Sequence, residues 1–327
     1  MGKAKAIVLA SWPANSPILH RFCGAFLLNS FIVIWLSSAI SPFLLLAAVW
    51  KGWNPVAIAI LVITIMAYAP WQKGPISCFV VYAYNTYYPT YFKSAAIVIE
   101  DDDEGLVAKQ QAFFAVHPHG AFCLGWSMLF CSPFMDHVRF CFAPSLYASP
   151  FFRLFSRTTG LPGSAAKAEM IKYLKQGQSL ALPPGGFEEA TLASAAIDRV
   201  FIQKRTGFVK LCLMHGVPIR PIYVFGENKL YNNIQGLWKL RLTLNRYGIP
   251  AILVWGHPFA PLLPKRNIDI RVVIGKPLVV PKIESPSKQE VETWHKKYVA
   301  ALTKLYEDHK EDAMGADAAK VSKLEVW

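Results

Sequence analysis

Charge is scarce in this chain and unevenly spread. Only 17% of the 327 residues are Asp, Glu, Lys or Arg, and none lies between Arg21 and Lys51. The six cysteines (Cys23, Cys78, Cys123, Cys131, Cys141 and Cys212) contain no Cys-x-x-Cys pair and no regular spacing. That argues against a zinc finger or a disulfide framework and leaves buried, reduced thiols. No Gly-x-Ser-x-Gly elbow is present, so a serine nucleophile of that type is excluded. Long Lys/Arg runs and an RNA-recognition aromatic box are also missing. The formal charge of +13, from 34 basic and 21 acidic residues, therefore points away from nucleic acid and toward anionic lipid and phosphorylated substrates.

What the chain has in excess is apolar residues, at 54%, with a mean hydropathy of +0.30. Soluble domains sit near roughly 45–50% apolar, so some of this chain is expected to meet lipid. The uncharged run after Arg21 is long enough for a spanning helix, which needs about 20 residues. Pro42 divides it and predicts a kink or a re-entrant path. A second apolar run, Val56 to Trp71, follows Lys51-Gly52-Trp53-Asn54-Pro55. Trp35, Trp50, Trp53 and Trp71 stand near the segment ends, where interfacial anchors belong. A cleaved signal peptide fits less well, because the stretch is too long and a second follows at once. These features predict a tail at 1–21, a membrane hairpin at 22–73 and a catalytic domain at 74–327. Lys3, Lys5 and Arg21 before the hairpin, with Lys73 and Lys93 after it, place both flanks in the cytosol.

The catalytic domain opens with an acidic stretch, Glu100 to Glu104 before Gly105, read as a solvated turn. Ala112 to Val116 reads as a buried strand ending in His117-Pro118-His119-Gly120. Polar groups at the end of a buried strand are where open α/β folds carry chemistry, and Pro118 and Gly120 stiffen this bend. A second strand, Ser179 to Leu182, runs into Pro183-Pro184-Gly185-Gly186-Phe187-Glu188-Glu189. Were the two strands adjacent, one Glu would reach a histidine. Arg205-Thr206-Gly207-Phe208-Val209-Lys210 opens a helix ending near His215-Gly216, and a third strand from Pro218 leads to Gly226-Glu227-Asn228. Repeated strand, polar turn and helix predict an α/β fold. Lys288 to Lys310 carries Val291, Trp294, Tyr298, Leu302 and Leu305 at helical spacing, a stripe expected to pack on the domain.

Together, His117-Pro118-His119-Gly120, the Pro-Gly-Gly-x-x-Glu element ending at Glu189, the Arg205-x-Gly-Phe-x-Lys block and Pro221 through Asn228 resemble the type 2 diacylglycerol acyltransferase family. That family includes monoacylglycerol and wax-alcohol acyltransferases. Tyr87-Tyr88-Pro89 and the stretch from Ile274 to Pro286 are similar as well, whereas Trp255-Gly256-His257-Pro258 departs from the Gly-Arg-Gly expected there. The resemblance implies a glycerolipid-acyltransferase-like αβ domain at the cytosolic face of the endoplasmic reticulum, with lipid-droplet residence and oligomerisation open. It implies acyl-CoA as a substrate, diacylglycerol as acceptor, and no cofactor.

Within that chemistry His119 is expected as the base, with His117 as its partner and Glu189 as the orienting carboxylate. No acid follows His119 within a dozen residues, so the carboxylate must come from elsewhere. Gly120, Gly185 and Gly186 offer backbone N–H groups for an oxyanion. Lys204, Arg205 and Lys210 are candidates for the CoA phosphates, although Arg205 also reads as a surface charge paired with an acid. Pro118, Gly207, Phe208, Glu227 and Asn228 complete the expected substrate-binding set. No metal is expected, since no further ligand lies at close spacing. Cys123 sits among apolar neighbours and has no activating group. A non-enzymatic lipid-transfer protein is the competing reading, and paired imidazoles argue against it.

Overall fold

The computed structural model describes residues 6–71, 73–100, 109–248 and 251–327. Its strands are β1 (Ala6–Trp12), β2 (Ser94–Glu100), β3 (Phe113–His117), β4 (Val138–Phe142), β5 (Pro162–Ser164), β6 (Ser179–Leu182), β7 (Asp198–Val200), β8 (Ile219–Phe225), β9 (Asn232–Asn233), β10 (Val254–Trp255), β11 (Asp269–Ile274) and β12 (Leu324–Val326). One eight-stranded sheet runs in the order β1-β2-β11-β8-β3-β6-β4-β5. The block β8-β3-β6-β4-β5 is parallel throughout. β11 lies antiparallel to β8, β2 parallel to β11, and β1 antiparallel to β2. The architecture is mixed α/β, as the strand–turn–helix repeats predict, and β3 is adjacent to both β6 and β8.

Both faces of this sheet are covered, which is why β3 is a continuous apolar run and not an alternating one. Phe114 and Val116 face one core, shared with the N-terminal helices and helix α4 (Leu124–Phe130). Phe113 and Ala115 face the other, with helix α7 (Gly207–His215) and helix α8 (Lys288–Met314). The predicted C-terminal stripe packs there: Val291, Tyr298, Leu302 and Leu305 are buried. A capping box starts α8, in which Ser287 Oγ accepts from the Glu290 N–H and the Glu290 carboxylate accepts from the Ser287 N–H. Helix α5 (Pro150–Thr159) and helix α6 (Gly186–Leu192) lie between these elements in the chain.

The N-terminal segment departs from expectation at its start. Residues 6–12, expected within a tail, form edge strand β1 of the sheet. Pro42 does not interrupt helix α1 (Ile18–Trp50), which runs through it. Proline offers no N–H to the carbonyl four residues back, and Ser41 Oγ donates to that Ser38 carbonyl at 3.2 Å instead. Leu28, Phe31, Ile32 and Trp35 form a stripe on α1 that packs against the sheet-side core. Elsewhere on α1, Phe22, Phe26, Phe43, Leu46, Val49 and Trp50 are exposed by 64–81%. The stretch Ile18–Ser38 is long and apolar enough to cross a bilayer, whereas α2 (Asn54–Tyr68) is shorter. Helix α3 (Pro75–Tyr87) leads into a buried turn at Tyr88–Tyr91, and Tyr88 Oη donates to the Leu124 carbonyl beside the candidate site.

Asp101 to Gly105 of the expected acidic turn lie outside the described residues. Glu100 is not a solvated charge: it is buried at the end of β2, where its carboxylate meets His309 Nε2 at 3.0 Å and accepts from the Lys276 N–H at 3.1 Å. This contact ties α8 and the Gly275-Lys276 turn to the sheet. Glu100→Ala removes the carboxylate that meets the buried His309 ring and accepts from the part-buried Lys276 N–H, so the folded state should lose about 3 kcal/mol. A clearly lower unfolding temperature in detergent is the expected readout.

Candidate active site

The parallel pairing of β3 with β6 puts the turn after each strand at one edge of the sheet. From the β6 turn, Glu189 reaches across to the histidine turn. Its side chain has no exposed surface. His117 Nδ1–H donates to the carboxylate at 3.0 and 3.1 Å, the His119 N–H donates to Oε1 at 2.7 Å, and the Phe201 N–H donates to Oε2 at 2.7 Å. Burying a carboxylate is costly unless donors surround it, and here three groups do so. Gly185 makes room for it, because a Cβ there would sit 2.1 Å from Glu189 Oε2.

The two imidazoles are engaged differently. His117 is fully buried, and with Nδ1 on Glu189 its Nε2 accepts from Tyr298 Oη at 3.1 Å. Both nitrogens are occupied. His119 donates its Nδ1–H to the Gly120 carbonyl at 2.9 Å, which fixes the tautomer and leaves the Nε2 lone pair unengaged. Its ring lines a cavity of about 620 Å³, whose wall includes Trp35, Phe122, Trp126, Phe142, Leu182 and Phe187. Burial pushes the His119 imidazolium below its ordinary range, so the ring is neutral near pH 7. The carboxylate expected to orient the His119 ring thus holds the His117 ring, and reaches His119 through its backbone.

A second buried acid organises the following helix. Glu227 accepts from the Leu124 N–H at 3.0 Å and the Gly125 N–H at 2.7 Å, at the N-terminus of α4. Burial pushes its carboxyl up to about 7, against those two hydrogen bonds. Gly120 has φ +59°, and a Cβ there would fall 2.4 Å from Glu227 Oε1, so turn and acid are packed together. Expected as a substrate contact, Glu227 therefore serves as a helix cap. Asn228 beside it is buried with neither side-chain polar atom partnered.

The remaining expected residues divide between site and surroundings. Pro118 is buried, and Gly186 borders the cavity at the start of α6. Arg205 pairs with Glu188 at 2.5 Å, the surface-pair alternative, with 37% of its side chain exposed. Phe208 turns inward, stacking on Phe113 at 5.6 Å and meeting Tyr298 edge-on at 4.9 Å, and so is a core residue and not a substrate contact. Lys204, Gly207 and Lys210 lie at or near the surface. The Trp255-Gly256-His257-Pro258 loop stays local: His257 Nδ1 accepts from the Phe259 N–H at 3.3 Å. Among the described residues no cluster of His, Cys, Asp and Glu has a metal-binding arrangement. Cys123, Cys141 and Cys212 are buried with thiols pushed up by desolvation, which leaves them inert as nucleophiles. Tyr298 was not anticipated as a site residue. Its hydroxyl on an otherwise apolar buried stripe is the available signal, since a buried phenol needs a partner.

Gly185→Ala should displace the Glu189 carboxylate and strip two buried backbone N–H groups of their acceptor. A destabilisation of about 2 kcal/mol or more follows, each orphaned donor costing roughly 1–3 kcal/mol. Chemical denaturation in detergent measures it, with Gly207→Ala, where a Cβ meets nothing within 4 Å and φ is not positive, as the comparison for a tolerant position.

Comparison with known proteins bears on what this edge of the sheet does. The family model of diacylglycerol acyltransferase matches residues 49–323. A Diacylglycerol O-acyltransferase 2 from Dictyostelium discoideum is 31% identical over 244 residues, covering 68% of this chain and 72% of that protein. A 2-acylglycerol O-acyltransferase 1 from Mus musculus is 30% identical over 253 residues, covering 68% of this chain and 71% of that protein. A Diacylglycerol O-acyltransferase 2 from Xenopus tropicalis is 27% identical over 333 residues, 93% of this chain and 84% of that one. Among solved structures, a 1-acyl-sn-glycerophosphate acyltransferase from Thermotoga maritima superposes on 86% of this chain and 95% of its own, at 13% identity and with a TM-score of 0.42. With 275 consecutive residues matched and the His-Pro-His-Gly and Pro-Gly-Gly-x-x-Glu turns joined at one buried carboxylate, the chain belongs to the diacylglycerol acyltransferase family.

Proposed function

We propose that this chain transfers an acyl group from acyl-CoA to the free hydroxyl of diacylglycerol, forming triacylglycerol, with His119 as the base. The observation that carries this is a neutral imidazole, its Nδ1–H tied to the Gly120 carbonyl, lining a largely apolar cavity. Nε2 takes the hydroxyl proton as the alcohol oxygen attacks the thioester carbonyl. The tetrahedral intermediate collapses with loss of the C–S bond, and the proton passes from His119 to the departing CoA sulfur. The Phe187 N–H at the start of α6, beside the same cavity, serves the developing oxyanion, while the Gly186 N–H donates to the Pro183 carbonyl. His117, Glu189 and Tyr298 form the positioning set: they hold the turn and move no proton in the reaction. Acyl-CoA enters as a substrate, and the chemistry requires neither cofactor nor nucleic-acid partner.

The same reading embeds α1 and α2 in the cytosolic leaflet of the endoplasmic reticulum, as a hairpin over 22–73 that also suits a lipid-droplet monolayer. Its support is the exposed apolar surface, continued on α2 by Ile58, Leu61 and Ile65 and on α3 by Ile76 and Phe79. A bilayer has no water for backbone or hydroxyl groups, and Ser30, Ser38 and Thr64 each donate to the carbonyl four residues back. Monoacylglycerol is the second acceptor to consider, because the mouse 2-acylglycerol acyltransferase matches as well as the Dictyostelium diacylglycerol enzyme does.

Membranes carrying the full chain, given labelled acyl-CoA, should form triacylglycerol from added diacylglycerol faster than diacylglycerol from monoacylglycerol. The reverse ratio would move the acceptor to monoacylglycerol, and no acyl-CoA-dependent product with either would sink the proposal. His119→Ala should abolish turnover. Tyr298→Phe should lower the rate by about tenfold, the scale of one buried hydrogen bond. Retained turnover in His119→Ala, with turnover abolished in His117→Ala, would make His117 the base. Since burial holds the His119 imidazolium below 6.5, the required neutral form persists as pH falls through 6.5, and the acid limb of kcat/KM should lie below that value.

A further inference from the structure

A second cleft, of about 410 Å³, shares no lining residue with the catalytic cavity. Its wall is formed by the end of α2 and the residues after it, the start of β4, helix α5 and the residues leading into β5. Among the described residues four cations line it, Lys73, Arg139, Arg153 and Arg157, and no Asp or Glu does. Arg139 stands near the start of β4, whereas the catalytic turns follow the ends of the parallel strands β3 and β6. The cleft is therefore set away from His119.

The guanidinium groups are positioned but not neutralised. Arg139 donates to Gln178 Oε1 at 2.7 Å and the Pro162 carbonyl at 2.6 Å. Arg153 donates through Nε to the Ala67 carbonyl at 3.2 Å, and Arg157 through Nη1 to the carbonyls of Ala67 and Ala69 at 2.6 and 3.0 Å. These bonds satisfy the carboxyl end of α2, a role that two cations at a helix C-terminus fill well. Among the described residues, Nη2 of Arg139, both Nη of Arg153, and Nε and Nη2 of Arg157 make no hydrogen bond to protein. None of the four cations meets a carboxylate among the described residues. Asp136, next to β4, is already held by Lys109 at 2.7 Å. Aromatic rings fix the forks: Arg153 lies over Tyr68 at 4.4 Å and Tyr147 at 4.5 Å, and Arg157 over Trp71 at 4.9 Å.

Helix capping needs neither a cleft nor Lys73 and Arg139. Planar forks with spare donors, gathered with a lysine around a concave space, match the oxygens of a phosphate group. We propose that this cleft is a binding site for a phosphate-bearing anion, separate from the catalytic cavity. Its position at the end of an apolar helix, flanked by Trp71 and Tyr68, allows two sources of that phosphate: an anionic phospholipid headgroup at the membrane surface, or the nucleotide end of CoA.

Equilibrium binding to the purified full chain in neutral detergent tests the site without requiring turnover, so its outcome is independent of whether the acyltransferase reading stands. The probes are short-chain phosphatidate, CoA and 3′-dephospho-CoA, and the variants are Lys73→Gln, Arg139→Gln and their combination. A headgroup site loses phosphatidate affinity in the double variant by on the order of tenfold, with CoA binding unchanged. A CoA site loses CoA affinity by a similar factor, and the variant then binds CoA and 3′-dephospho-CoA alike. Either result supports the site. Among the described residues Lys73 makes no side-chain hydrogen bond that its replacement would break, so Lys73→Gln alone keeps the test valid if Arg139→Gln fails to fold, with a smaller loss expected. Unchanged affinity for all three probes in a folded variant overturns the proposal.

Discussion

A single carboxylate with no exposed surface holds this site together. Glu189 could not remain buried without several donors, and it takes them from three places along the chain: the His117 ring, the His119 backbone and the Phe201 backbone. The turn after β3, helix α6 and the segment after β7 thus meet at one point. Because the carboxylate grips the His117 ring and only the main chain of His119, the two histidines separate in role. One is locked on both sides, between Glu189 and Tyr298, while the other keeps a free nitrogen toward the cavity. An imidazole with both nitrogens occupied is a poor base, and one with a fixed Nδ1–H and an open Nε2 is a good one.

Glu227, beyond the end of the neighbouring strand β8, has a corresponding role under different conditions. Two backbone donors and a helix N-terminus favour its charged form, yet burial opposes them strongly enough to push the carboxyl up to about 7. The Gly120 turn rests directly against it. The histidine turn is therefore clamped between two buried acids, Glu189 holding its start and Glu227 its end. Rigidity of that order suits a base that must meet a substrate hydroxyl in one geometry.

Much of this was legible in the sequence. Short apolar runs ending in Gly- and Pro-bearing polar turns predicted β3, β6 and β8, and a carboxylate across from the histidines followed if the first two were neighbours. What a linear motif cannot give is the direction in which each residue faces. Phe208 and Glu227 fall inside blocks that carry the family resemblance, and both point into the protein, one to stack on Phe113 and one to cap α4. Glu100 read as solvent-facing because four acidic residues follow it, but as the last residue of β2 it faces inward to His309. β1 was hidden for another reason. A turn signal, Pro13-Ala14-Asn15-Ser16-Pro17, does follow it, but the partner strand β2 lies more than eighty residues away and nothing local points to that pairing.

The placement of α1 links membrane contact to chemistry on the function proposed above. Trp35, Leu36 and Ser38 line the catalytic cavity, while Phe26, Ile40 and Phe43 on the same helix are exposed by 70%, 50% and 70%. One helix is both a wall of the reaction chamber and a surface for lipid. Across the cavity, Gly248, Ile252 and Val254 belong to a segment whose neighbours Tyr247, Leu253 and Phe259 are also exposed. A diacylglycerol hydroxyl approaching between these walls would cross little water. That matters because His119 would deprotonate water as readily as an alcohol, and hydrolysis of the thioester would be the result. The base cannot choose between the two nucleophiles. The choice falls to the apolar wall, which favours an acceptor whose hydroxyl arrives on a lipid over one that arrives as solvent.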